Sequence, residues 1–130
     1  MSRVPDRSDV GAAVVDFVLV SVVLLGLFLA VVQLGVVLHV RNTLVAAAAE
    51  GARYGANADR SADDGATRTR ELVVTSLSPG LVQDVAAGYE DVGGISTVVV
   101  EIRARLPLVG LLGPARGLVV RGHAFAEAQP

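Results

Sequence analysis

The chain has no cysteine, lysine or tryptophan among its 130 residues, and aromatic side chains make up only 4% of it. Without cysteine it cannot form disulfides, use a thiolate nucleophile or bind a metal through sulfur. The net charge is −2, and the arginines are scattered rather than clustered. Nucleic-acid binding uses a clustered cationic face or stacking aromatics, so we expect no nucleic-acid partner.

Groups that could support catalysis are also scarce. His39 and His123 lie far apart in the sequence, and neither is accompanied by an acid and a nucleophile in a triad-like arrangement. There is no phosphate-binding glycine loop and no pair of metal-ligand histidines. We interpret His39 as an interfacial residue, His123 as part of a solvated strand face, and Asp63-Asp64 as linker and helix cap. The sequence predicts no enzyme, and hence no catalytic residue, metal site, cofactor or small-molecule substrate.

A long hydrophobic run stands out instead. From Phe17 to Leu38, 17 of 22 residues are Leu, Val or Phe, and no Asp, Glu, Lys or Arg lies between Asp16 and Arg41. As a helix this run is about 33 Å long, enough to cross a hydrocarbon core of about 30 Å. A cleavable secretory signal would have a shorter apolar region, and a buried core helix of this length would be unusual in so small a protein. We predict one membrane-spanning helix, whose orientation the flanking arginines do not decide.

The junction at the start of the run reads Gly11-Ala12-Ala13-Val14-Val15-Asp16-Phe17. One interpretation is that Asp16 only marks the helix entrance, where the positive end of the helix dipole favours an acid. The other uses the whole string. A glycine, four small or apolar residues, an acid and then Phe resemble the cleavage pattern of type IV prepilins.

The resemblance extends beyond the membrane run. Residues 41–44 read R-N-T-L, and residues 49–55 read A-E-G-A-R-Y-G. Together with the junction, they resemble the TadE-like family, the minor pilins or pseudopilins of Tad (tight-adherence, or Flp) pili. The family usually has Glu at the acidic position, where this chain has the shorter Asp16.

The resemblance implies a site and a location. Prepilin peptidase would cut after Gly11, the amine of Ala12 would meet Asp16 of a neighbouring subunit, and Phe17 would open the packing helix. The partners would be the membrane, prepilin peptidase and other pilin or pseudopilin subunits. The N-terminus would be cytoplasmic and the head extracytoplasmic, in the plasma membrane or later in a surface pilus. An uncleaved single-pass protein, whose head recruits a partner of the secretion machinery, is the alternative.

The rest of the chain predicts an α+β fold with the domain order of leader 1–11, transmembrane helix and stalk 12–58, linker 59–65 and head 66–130. In the stalk, Gly51 and Gly55 form a small-xxx-small pair that allows close helix packing, or else a mere weakness in an alanine-rich helix. The head should hold one short helix, Ala66 to Leu77 with Asp64 as a possible cap, and an antiparallel sheet of about three strands covered on one side by helix.

The predicted strands differ in the strength of their signal. Residues 97–106 alternate most cleanly, with Val98, Val100, Ile102, Ala104 and Leu106 on one face. Residues 118–128 alternate too, whereas residues 81–89 are a weaker candidate. Between the last two strands, the apolar loop from Pro107 to Pro114 either folds back over the sheet or forms a contact patch for a partner subunit or the membrane surface.

Overall fold

The computed structural model describes residues 7–106 and 117–127. Its elements are two helices, α1 (Arg7–Ala56) and α2 (Ala62–Ser76), and three strands, β1 (Val82–Val92), β2 (Ile95–Arg105) and β3 (Gly117–Phe125). The predicted α+β fold is confirmed: a long apolar helix, a short helix and a three-stranded antiparallel sheet. The first six residues of the predicted leader and the apolar loop from Pro107 to Pro114 lie outside the described residues.

Contacts divide the chain into two units, residues 1–35 and 36–130. In the described part of the first unit, α1 exposes its large apolar side chains on every side, from Val10 (55% exposed) and Phe17 (74%) to Leu34 (60%). The helix is long and apolar enough to cross a membrane. Because no face of this segment is polar, lipid or other apolar helices suit it better than water.

In the second unit, the end of α1 buries one face. Its buried positions recur every three or four residues, as expected for a helix with one face in a core. They are Val40, Leu44, Ala47, Ala48, Gly51, Ala52, Gly55 and Ala56. Beyond Leu44 they are all Ala or Gly, so the backbone of α1 can lie unusually close to its neighbours.

The sheet has the order β1-β2-β3, with both pairs antiparallel. A two-residue turn, Gly93-Gly94, joins β1 to β2, and both glycines have positive φ (+65° and +84°), which matches the hairpin turn that best fits twisted strands. The predicted alternation of β2 is confirmed on the side facing the core. Val98, Val100 and Ile102 have no exposed surface, and Ala104 has 1%.

Helix α2 begins earlier than the sequence predicted. Its first residue is Ala62 rather than Ala66, and its N-cap is Ser61 rather than Asp64. The Ser61 side chain accepts a hydrogen bond from the Asp64 N–H, while the Asp64 carboxylate accepts one from the Ser61 N–H at 2.8 Å. This reciprocal capping box satisfies two backbone donors at the helix start. The last four residues of the predicted 59–65 linker, residues 62–65, therefore form the first turn of α2.

Candidate assembly surface

The predicted cleavage junction lies on the first turns of α1. Gly11 and Ala12 are helical and exposed, and a side chain added at Gly11 would meet nothing within 4 Å. Asp16 is exposed four residues after Ala12, a spacing that puts both residues on one side of the helix. No hydrogen bond or ion pair with another described residue engages the Asp16 carboxylate. The junction is thus open to a partner from outside the chain.

Phe17 is the last residue of the junction, and 74% of its surface is exposed. From Phe17 to Leu38, the side chains that can form hydrogen bonds are those of Ser21 and Gln33. This part of α1 can pack against lipid or against other helices.

The small-residue pair Gly51 and Gly55 has a partner within the same chain. Both glycines are buried against α2, where Gly65 approaches them. A Cβ at Gly51 would overlap the Thr69 hydroxyl and lie 2.7 Å from the carbonyl oxygen of Gly65. The close helix packing suggested by these glycines therefore occurs between α1 and α2, and this face of the stalk is already covered.

A buried hydroxyl links the two helices. The Thr69 hydroxyl lies 2.9 Å from the Gly65 carbonyl oxygen and 3.4 Å from that of Ala47, and it donates to them. Thr69 has no exposed surface. Because a buried hydroxyl without a partner is costly, this contact fixes both the rotation and the spacing of the helices.

Helix α1 also lies close to the sheet. A Cβ at Gly122 of β3 would overlap the backbone of Ala48. Five residues farther along, the Glu127 N–H donates to the Ala56 carbonyl at 2.8 Å, which satisfies an acceptor at the end of α1. The alanines and glycines of α1 thus pack against α2 at some positions and against β3 at others. We did not predict these contacts from the sequence, although Gly122 in the middle of a strand was a signal for a close backbone approach.

The sheet face away from the helices carries a cluster of charged side chains. Glu101 accepts hydrogen bonds from Arg103 at 3.0 Å and from Arg121 at 2.8 Å. These two arginines, Arg103 first, hold the pKa of Glu101 below its usual value. His123 is exposed on this face, as predicted, and His39 is exposed on α1. Surface ion pairs of this kind contribute little to stability. We therefore interpret the cluster as a solvent-exposed surface.

Hydrogen bonds at the cap of α2 likewise lower the pKa of a carboxyl group. The pKa of Asp64 is lowered mainly by the hydrogen bond from the Ser61 N–H, then by the Ser61 hydroxyl and the charge of Arg60. The Tyr89 hydroxyl accepts from the next backbone donor, the Ala62 N–H, at 3.1 Å. Within residues 7–106 and 117–127, no cluster of three or more His, Asp or Glu could hold a metal ion.

Comparison with known proteins identifies one family. The sequence model of the family described as TadE-like protein matches residues 11–53, about a third of the chain. No curated protein and no solved structure matches. The matched segment begins at the glycine of the junction, includes the whole apolar run and ends on the stalk that packs against α2. Residues 11–53 are therefore similar to the TadE-like family, as the sequence motifs indicated, which suggests a membrane protein associated with the Tad pilus.

Proposed function

We propose that this chain is a prepilin-like minor pilin or pseudopilin that takes part in assembling a Tad-type pilus or a related secretion system. The observation that carries the proposal is the first part of α1, which is apolar and exposed on all sides and has at its start an acid, Asp16, that pairs with no residue the structure describes. The TadE-like match covers this same segment. Such a helix gains most by passing from lipid into a bundle of similar helices, and the acid gives that bundle an axial register.

Prepilin peptidase cuts after Gly11 in this proposal. Residues 7–56 form one continuous helix, so the peptide bond between Gly11 and Ala12 must leave the helical conformation to enter a protease site. Glycine favours this local opening because it is about 1 kcal/mol less stable than alanine in a helix. The four residues from Arg7 to Val10 then unwind with the leader.

The new amine on Ala12 is largely protonated at neutral pH. In a membrane-embedded bundle this cation needs a negative partner, and Asp16 of an adjacent subunit supplies one through a charge-assisted hydrogen bond. Asp16 of the same chain, one turn away, is the competing acceptor. Because aspartate is short, the adjacent subunit must come close to make the contact.

One feature favours the alternative of an uncleaved single-pass protein. Helix α1 runs from Arg7 through Gly11 without interruption, so residues 7–11 of the predicted leader continue the membrane helix. In that case Asp16 only marks the helix entrance, and the head recruits a partner of the secretion machinery.

Substitutions at Asp16 separate the two functions. We expect Asp16→Ala to insert into the membrane normally and to be lost from the pilus or pseudopilus fraction, because the amine has no acceptor. Asp16→Glu, which keeps the charge and extends its reach, should assemble at least as well as the wild type. The readout is co-sedimentation with sheared fibres or isolated assembly complexes. Normal assembly of Asp16→Ala would support the uncleaved alternative.

A further inference from the structure

One polar side chain in the apolar run is not explained by cleavage or by the acid at its entrance. Gln33 lies five residues before the end of the run, about 7.5 Å inside it along the helix axis. Its amide makes no hydrogen bond to any described residue. An amide left in hydrocarbon without a partner is unfavourable, because no water is present to replace the missing bonds.

Gln33 cannot easily reach the nearer membrane surface. Helical side chains point back toward the helix N-terminus, and so the amide lies over the turn that contains Ala30, deeper in the run. The amide therefore points away from the water at the Leu38 end of the run. The partner of the amide has to come from another membrane segment at the same depth.

The surface around the amide allows such a segment to approach. Gly26, Ala30 and Gln33 lie on one side of α1, within an arc of about 60° at 3.6 residues per turn. An added Cβ at Gly26 would meet nothing within 4 Å. Small residues four apart let the backbones of two membrane helices come close, and glutamine side chains form hydrogen bonds between helices.

We propose that two copies of this chain associate in the membrane through this face, with the Gln33 amides hydrogen-bonded to each other. A glutamine amide carries both a donor and an acceptor, so two identical amides complement each other. Copies inserted in the same direction place Gln33 at equal depth, and no charged residue between Asp16 and Arg41 opposes the contact. The pairing depends on membrane insertion and is independent of cleavage after Gly11.

The absence of cysteine allows a direct test with the full-length chain in lipid vesicles. Val22→Cys places a single thiol on the proposed face, one turn before Gly26. Leu24→Cys is the matched control, because it lies about 160° from Gly26 on the opposite side. Oxidation with molecular iodine, which enters lipid, should produce covalent dimers of Val22→Cys and few of Leu24→Cys.

Substitutions at Gln33 test the role of the amide. In the Val22→Cys background, Gln33→Leu should raise the dimer dissociation constant about tenfold, or about 1.4 kcal/mol, as measured by energy transfer between labelled copies. Gln33→Asn keeps an amide and should retain most of the association. Equal crosslinking at both cysteine positions, or an unchanged dissociation constant in Gln33→Leu, would overturn the proposal. So would pairing that requires another pilus protein.

Discussion

The backbone of Gly51 in α1 lies directly against the backbone of Gly65 in α2, so that a Cβ on Gly51 would be 2.7 Å from the Gly65 carbonyl oxygen. Gly51 belongs to the segment that matches the TadE-like family, whereas Gly65 lies beyond it. The contact explains why the stalk needs glycine and alanine on this face. Larger side chains would separate α1 from α2 and uncover the core of the head.

We therefore expect Gly51→Ala to destabilise the head. The new methyl group would overlap the Thr69 hydroxyl, and overpacking of this kind typically costs about 1–3 kcal/mol. Gly35→Ala is the matched control on the same helix, since its Cβ would meet nothing within 4 Å and alanine is the better helix former. Thermal unfolding in detergent, followed by the fluorescence of Tyr54 and Tyr89, measures the difference. Equal unfolding temperatures for the two variants would contradict the packing.

The approach of α1 to β3 gives a second prediction. Gly122→Ala should be destabilised by at least as much as Gly51→Ala, because its Cβ would overlap the backbone of Ala48, which cannot rotate away. The control is Gly88→Ala in β1, where an added Cβ would meet nothing within 4 Å. Denaturant unfolding compares the two strand variants. A stable Gly122→Ala would mean that α1 does not lie against this part of the sheet.

The fold was predictable to different degrees in different elements. The apolar run and the alternation of β2 were clear, because a membrane helix and a half-buried strand each leave one strong pattern. The predicted start of α2 is wrong, because a glycine such as Gly65 at the end of a polar stretch is typical of a loop. In the structure Gly65 is helical and lets α2 approach α1, a tertiary reason that no local pattern reveals. Strand β1 also continues to Val92, three residues past the predicted end, because it pairs with Ile95 across the turn.

The candidate site, like the fold, was predictable only in part. The positions of Gly11, Ala12 and Asp16 followed from a motif, and their roles remain predictions. The close-packing role of Gly51 and Gly55 was suggested by their spacing, but the sequence could not identify the helix that meets them. Their partner Gly65 follows Gly55 by ten residues and Gly51 by fourteen, and only the folded head brings them together.

The cap of α2 predicts a response to acid. The folded-state pKa of Asp64 lies below the ordinary value of 3.8, so the capping box stabilises the head above that pH and stops doing so as the pH falls through the lowered pKa. Asp64→Asn keeps an acceptor for the Ser61 N–H without the charge. We expect the variant to be less stable than the wild type at pH 7, and the difference to disappear in strong acid. Unfolding temperatures measured between pH 7 and pH 2 test this, and a constant difference would argue against the cap.

The most direct test of the proposed function is the mass of the native protein's N-terminus, measured on membranes from cells that contain prepilin peptidase. Cleavage after Gly11 predicts a mature chain that begins at Ala12, and a Gly11→Leu variant that keeps its leader. A wild-type chain that still carries residues 1–11 in the presence of active peptidase would contradict the account.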